Sequence, residues 1–491
     1  MTDTPAATAV GPSADDDGNP LHSGSMKVRH LVVFVIGAAS PLTVLVGFAP
    51  LGLGAAGASF PLAYLVPGLI YLLFAVGYTA MSRHLRGSGA FYAYISEGFT
   101  RTVGAGAALL AYVGYLGGQI GFVLACGVFL SATVGSIAGL TPPIYVCALI
   151  ISVVVAIIAY RKVDFGARIL LVLMALELGT LAVFCVAVLA HGGHEGISLA
   201  GITFGSVFSS GVAGAFLLTF TSFVGFEQTA VYSDECVEPA KTISRATYIA
   251  VAALTFIYTF CAWVIVQAIG ISRIGDVLSG DPSALVFTLN SEFAGTTMTE
   301  VMRLLIVTSF FAGCLALHNV CTRYLFAMGR TGVVPSVLGR VSPTTMTPSV
   351  AGVVQCLLVS GVLLAFAFTP TDAYTQVVVW TTSPTILTVL VLQVLTSVAV
   401  VRFFRRNDYG ESRWNRVVAP TVSAIVLAMV AVVLVANMGQ LTGLRTAGNA
   451  LIFVPLVVAA GVGLTRGFIL TRTHRRRRSG DQRPRHRPMP T

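Results

Sequence analysis

Ser40-Pro41-Leu42-Thr43 stands in the middle of an apolar run that extends from about residue 31 to 54, with Gly47 and Pro50 close behind. A second run, near 206–235, carries Gly211 and Gly214, then Thr219-Phe220-Thr221-Ser222-Phe223-Val224-Gly225, again in mid-run. Proline removes a backbone donor and clashes with the preceding turn, so Pro41 interrupts helical bonding where it falls. What surrounds these runs decides whether each is a packing kink or a built feature.

The surroundings are apolar. Of 491 residues 55% are hydrophobic and only 10% charged, with a mean hydropathy of +0.85. A soluble chain of that length uses roughly 25% charged residues, so much of this exterior faces something other than water. Spanning a bilayer takes about 20 mostly apolar residues. Twelve runs suit: near 31–54, 60–82, 103–134, 142–160, 167–190, 206–235, 246–270, 300–327, 349–368, 374–401, 417–437 and 447–468. Backbone groups find no water in hydrocarbon, so each run is a helix, broken only where protein or a cavity shelters it.

Lysine and arginine concentrate in cytoplasmic loops. With the N-terminus inside, all but Arg273, Arg303 and Arg445 of the 30 basic residues fall on the inner side. The expectation is therefore an all-α, multi-pass cell-membrane protein with twelve transmembrane helices and both termini cytoplasmic. The net charge of +10 follows from that pattern. The basic stretch Arg475–Arg487 beside the last span suits membrane lipids rather than nucleic acid. Residues 1–30, with Asp15, Asp16 and Asp17, lack the apolar core of a signal peptide and read as a disordered cytosolic tail. The domain expectation is a core over 31–401, a helix pair over 402–470 and a basic disordered tail over 471–491.

If a second half starts at the sixth run, the two interrupted runs are the first helices of two five-helix halves. Five is odd, so the halves are inverted. An inverted repeat with broken first helices is the arrangement expected of a secondary transporter. A break exposes N–H groups at a positive dipole end, suited to a carboxylate, and C=O groups suited to an ammonium or cation. An amino-acid zwitterion needs both. The bland alternative is that Pro41 kinks a helix and the glycines permit close packing; two breaks at matching positions favour a site.

Other classes lack their signatures. The eight cysteines show no Cys-x-x-Cys spacing, so neither a zinc site nor a disulfide framework is expected. No P-loop points to a pump, no filter repeat or charge ring to a channel, and no nucleophile–base set to an enzyme. No cofactor is expected. A non-transporting nutrient sensor would keep the same binding site, and uptake separates it from a carrier.

Three further stretches carry a resemblance. After the second break come Gly225-Phe226-Glu227 and then Glu235-Cys236-Val237-Glu238-Pro239-Ala240-Lys241-Thr242-Ile243-Ser244-Arg245-Ala246. Arg86-Gly87-Ser88-Gly89-Ala90-Phe91-Tyr92-Ala93-Tyr94 follows the second run, and Asn319 to Arg330, then Gly332 and Pro335, close the eighth. Together, over about 31–400, they resemble the amino acid–polyamine–organocation permeases. That resemblance implies a LeuT-like five-plus-five inverted repeat with helices one and six broken. It also implies symport or antiport of an amino acid, or of a polyamine or other organic amine, coupled to protons or another ion. The family's Gly-Ser-Gly in the first helix is absent; by position it would fall near Thr43-Val44-Leu45, and Ser244 stands where proline is common. The substrate site is expected at Ser40, Pro41, Leu42, Thr43 and Val44 against Phe220, Thr221, Ser222, Phe223, Val224 and Gly225. The resemblance places the amine at carbonyls around Phe220, Thr221 and Val224, with Phe220 or Phe223 closing over it.

Carboxyls inside spans are costly and mark ion paths. Glu177, in mid-run five, is expected to couple a proton, its alternative being a hydrogen-bonded structural carboxyl. Glu227, after the second break, is read as gating or binding. His318 is expected to make an interhelical hydrogen bond, and His194-Glu195 lacks the second histidine of a zinc protease. Tyr112, Tyr115 and Gln119 in the third run and Trp380 in the tenth could line a pocket, but aromatics near the membrane interface are more often anchors, and they stay outside the expected site.

Overall fold

A computed structural model describes residues 27–85, 90–161, 167–199, 202–227, 229, 236, 238–343 and 347–481. Most of the N-terminal tail, Arg86–Gly89, Lys162, Glu235, Val237 and residues 482–491 lie outside the described residues. The regular elements of the described residues are helices. The order is α1 (Val28–Ala39), α2 (Ala49–Ala56), α3 (Phe60–Ser82), α4 (Ala90–Gly98), α5 (Arg101–Ala138) and α6 (Ile144–Tyr160). Then come α7 (Ala167–His191), α8 (Ser210–Thr221), α9 (Pro239–Ile269), α10 (Ile274–Leu278), α11 (Leu285–Ala294) and α12 (Thr296–Thr331). The chain ends with α13 (Ser349–Ala367), α14 (Val379–Phe404), α15 (Ala419–Asn437), α16 (Gly439–Thr442) and α17 (Thr446–Asp481).

Nine helices among the described residues are long and apolar enough to cross a membrane; Val28–Gly37, Ile144–Tyr160 and Ser210–Thr221 are apolar but shorter. The difference from twelve runs has a local cause at the first and sixth. Their breaks split each run, and the second half of the first joins α3 into one stretch, Thr43–Ser82. At the other end, α17 continues to Asp481, so the basic segment expected to be disordered from 471 is helical over its first part.

The long helix α5 forms the axis, packed along α6, α12, α14 and α17. Close approach to α14 depends on missing side chains. A methyl group on Gly114 would lie 2.5 Å from Thr388, and one on Gly118 2.9 Å from Thr385. Helices in lipid associate through such small-residue faces because hydrocarbon offers no hydrophobic drive. Apolar side chains stand exposed around the outside, among them Ile157 on α6, Leu357 on α13, Val432 on α15 and Val457 on α17. That is the surface a bilayer would cover.

At one end a polar latch ties three elements. Arg83, just past α3, makes a two-pronged pair with Glu411, its Nε and Nη2 each 2.8 Å from a carboxylate oxygen. Its Nη1 donates to the Ser244 hydroxyl on α9 at 3.1 Å, so the serine that replaces a family proline has a partner. Partial burial pushes the Glu411 carboxyl up, but the hydrogen bonds from Arg83 and Asn415 and the charge of Arg83 outweigh it and hold it at about 2.

Candidate functional site

The first break falls at Ser40, whose φ of 46° and ψ of 70° are left-handed. Pro41 has no N–H to give the Gly37 carbonyl, so Ser40 supplies both its N–H and its hydroxyl, each at 3.1 Å. The helix then restarts as a wide π-turn over Thr43–Phe48. The amides of Leu42 and Thr43 open that restart, where a helix has no carbonyl of its own to meet them. The Ala39 carbonyl on the near side of the break instead accepts from the Tyr258 hydroxyl of α9 at 3.1 Å.

The second break follows α8, in the turn Ser222–Gly225. Gly225 has φ 119°, a backbone state that side chains disfavour. Tyrosines supply the donors this turn needs. Tyr71 donates to the Phe220 carbonyl at 3.2 Å and Tyr78 to the Glu227 carbonyl at 2.6 Å, both from α3. Tyr258 reaches the Ser222 carbonyl at 3.1 Å. One hydroxyl therefore bridges the two breaks.

Each candidate coupling carboxyl is wired to one break. Glu227 turns back on its own turn, accepting the Gly225 N–H at 2.8 Å and the Tyr115 hydroxyl at 3.0 Å. Glu177 on α7 accepts from the Ser309 hydroxyl of α12 at 2.9 Å, and Ser309 accepts from Thr43 at 2.9 Å. Both carboxyls are buried.

Between the breaks lies a cavity of about 60 Å³; by the same measure roughly 10–15 Å³ is enough to admit one water. Of the expected binding residues, Val44, Thr221, Ser222 and Val224 line it, joined by Ala39. Ser40, Pro41, Leu42, Thr43 and Gly225 shape the breaks behind that wall. Phe220 and Phe223, expected to close over an amine, instead pack on Tyr71, each ring 5.4 Å away. The aromatic lining comes from Phe48, Phe122 and Tyr115. Thr382 and Thr385 of α14 add hydroxyls, and among the described residues no charged side chain is in the lining.

Tyr115, a possible pocket residue outside the expected site, sits in mid-α5 and touches both cavity and Glu227. Tyr112 and Gln119 join a buried chain: Tyr112 donates to Gln355 at 2.9 Å, Gln355 to Gln119 at 2.7 Å, and Gln119 meets His318 at 3.2 Å. His318 thus makes the interhelical bond expected of it. Trp380 donates to the Thr442 carbonyl at 2.9 Å, and His194 pairs with Glu292 at 3.1 Å. Among the described residues no cluster of His, Cys, Asp and Glu could hold a metal.

Comparison with known proteins places this geometry in a family. Part of the chain is similar to "Large neutral amino acids transporter small subunit 2" of Mus musculus, 29% identical over 146 residues. It is similar also to "Branched-chain amino acid permease BcaP" of Bacillus subtilis (strain 168), 27% identical over 148 residues. Those stretches cover 30% of this chain, 26% of the mouse protein and 30% of the bacterial one. The family profile described as "Amino acid permease" spans far more, matching residues 28–461. On that match the chain belongs to the amino acid permease family.

Proposed function

We propose that the protein carries a neutral amino acid with an apolar side chain across the cell membrane by alternating access. The observation that carries this reading is the pair of broken helices, bridged by Tyr258, facing across a cavity with no charged lining. The restart after Ser40 offers amides and a positive dipole end to the substrate carboxylate. The last turn of α8 offers carbonyls and a negative end to the amine. Phe48, Phe122 and Val44 suit an apolar side chain. A polyamine would bring extra ammonium groups, and the lining holds no acid to meet them. The two relatives, named for large neutral and branched-chain amino acids, agree with this choice.

The fold we read is twelve spans with both termini cytoplasmic, the first ten in two inverted halves over 31–401 and the last two over 402–470. Transport is proton-coupled symport or exchange. Glu177, through Ser309 and Thr43, lets a proton act on the first break. Glu227, through Tyr115, senses cavity contents at the second and acts as a gate. The basic C-terminal segment contacts anionic lipid.

Purified protein in proteoliposomes tests this with a panel of labelled amino acids and polyamines. Neutral apolar amino acids should accumulate under an imposed proton gradient or exchange against internal substrate. Polyamine uptake in their place would overturn the substrate assignment. Saturable binding with neither uptake nor exchange would make the protein a sensor.

A further inference from the structure

Gln355 on α13 clamps two turns of α5 at once. Tyr112 and Gln119 lie about two turns apart on one face of that helix. The Gln355 Oε1 accepts from the Tyr112 hydroxyl, and its Nε2 donates to the Gln119 Oε1. The Gln119 Nε2 then meets the His318 Nδ1 on α12. All four side chains are buried, Gln355 completely. A buried polar chain with every link made is rigid, because a broken link strands a polar atom away from water.

A glutamine turned end for end exchanges donor and acceptor, so such a chain has two possible directions. The tyrosine end chooses between them. Tyr112 has one proton to give, and Gln355 is its hydrogen-bond partner among the described residues. Reversal would set the Gln355 amide N–H against that hydroxyl and leave the tyrosine proton buried without an acceptor, which is costly. With Tyr112 donating, Gln355 must give its N–H to Gln119, and Gln119 must give its own to His318. The His318 Nδ1 is then a bare acceptor, and the neutral ring carries its proton on Nε2. That edge looks toward Gly352 of α13, where a methyl group would lie 3.7 Å from Nε2. A cationic ring would present a second N–H at Nδ1, against the amide of Gln119.

The chain stands directly behind the cavity. Gln119 follows Gly118 and His318 follows Leu317, and both Gly118 and Leu317 line it. Gly118 has no side chain to adjust, so its part of the wall is set by where the backbone of α5 sits against α12. We propose that His318, neutral and acting through its bare Nδ1, is a positioning residue for substrate. With Gln119, Gln355 and Tyr112 it fixes the spacing of the Gly118 and Leu317 walls. The proposal rests on the carrier reading only for the substrate that reports it.

Nitrogen NMR of the full-length protein with isotope-labelled histidine reads the direction without any transport. The His318 signals are those lost in His318→Asn. A bare Nδ1 and a protonated Nε2 are expected, and a proton on Nδ1 would overturn the assignment. Proteoliposome uptake of a labelled neutral amino acid then reads the positioning. His318→Leu strands the Gln119 N–H and should raise KM about tenfold while kcat changes less than about twofold. His318→Asn keeps an acceptor near the place of Nδ1 and should recover most of that loss. A histidine that served folding alone would instead lower the melting temperature and the active fraction, leaving KM as it was. If His318→Leu does not fold, Gln355→Leu cuts the same chain from α13 and should raise KM likewise. Uptake of a different substrate by the natural protein would sink the neutral amino-acid reading, and the same KM comparison would be made with that substrate. Unchanged KM in the folded leucine variant, or His318→Asn as impaired as His318→Leu, would overturn the positioning role.

Discussion

Tyr258→Phe removes one oxygen and leaves the ring, which packs on Phe223 at 5.3 Å and Tyr64 at 5.4 Å. The lost hydroxyl serves carbonyls on both breaks, Ala39 and Ser222, each at 3.1 Å. It has a single proton, so the loss amounts to about one buried hydrogen bond rather than two. Leaving a buried acceptor without its donor costs about 1–3 kcal/mol. Ala39 and Ser222 both line the cavity, so the cost should fall on the geometry that receives substrate. At 1.4 kcal/mol per factor of ten, that is roughly a 5- to 140-fold loss of affinity. Equilibrium binding of a labelled neutral amino acid to purified protein, with thermal stability measured alongside, reads the two effects separately. We expect weaker binding and only a small shift in melting temperature. Wild-type affinity in a folded Tyr258→Phe protein would refute the claim that this hydroxyl sets the site.

Four further outcomes follow from named contacts. Glu177→Gln should abolish accumulation driven by a pH gradient while exchange persists, because Gln cannot load a proton; unchanged pH dependence of uptake would assign coupling elsewhere. Gly225→Leu should block uptake, since a side chain at φ 119° costs about 1–3 kcal/mol and disturbs the amide that Glu227 holds; Ser222→Ala should be milder, as backbone rather than hydroxyl faces the amine. Glu411→Gln should lower thermal stability by a nearly constant amount between pH 5 and 8. Glu411 is depressed to about 2, so its contribution is full above an unfolded value near 4.3 and disappears as pH falls through about 2, where mutant and parent should converge. Single cysteines near Arg161 or Arg406 should resist an impermeant thiol reagent in intact cells; strong labelling there would invert the topology.

Much of the frame is written locally and was legible. Proline acts on its own turn, so Pro41 fixes a break one residue before itself with no help from the fold. The cavity wall is not local. Phe48, Phe122 and Gly313 reach it only because the π-turn Thr43–Phe48, α5 and α12 converge there, and nothing in their own neighbourhoods announces that. Depth along a helix and small-residue spacing are further signals. Tyr115 lies 14 residues into α5 by its number, about 21 Å of helix from Arg101, which is midplane depth and not an interface. Gly114, Gly118 and Gly121 at spacings of four and three mark a face made for close contact, and Thr388, Thr385 and Thr382 answer it in reverse order on α14. Tyr258, one of two tyrosines in α9, gives no local hint of which carbonyls it meets.

The two breaks are alike in position and unlike in cause. The first is enforced covalently: Pro41 cannot donate, Ser40 closes the Gly37 carbonyl locally, and the Ala39 carbonyl takes an outside donor. The second has no proline. Its carbonyls at Phe220, Ser222 and Glu227 are held by Tyr71, Tyr258 and Tyr78, and its Gly225 amide by a carboxylate that Tyr115 also holds. Those donors come from α3, α9 and α5, so the second break keeps its form only while three other helices keep their places. A shift of any one of them releases hydrogen bonds there and few at the first. Conformational change in this carrier should therefore register at Ser222–Glu227, with the Ser40 break moving as a rigid corner. Tyr71→Phe and Tyr78→Phe, compared with Ser40→Ala, separate the two. The tyrosine variants should alter the rate of exchange more than the serine variant does, and equal effects at both breaks would mean that the surrounding helices do not control the second.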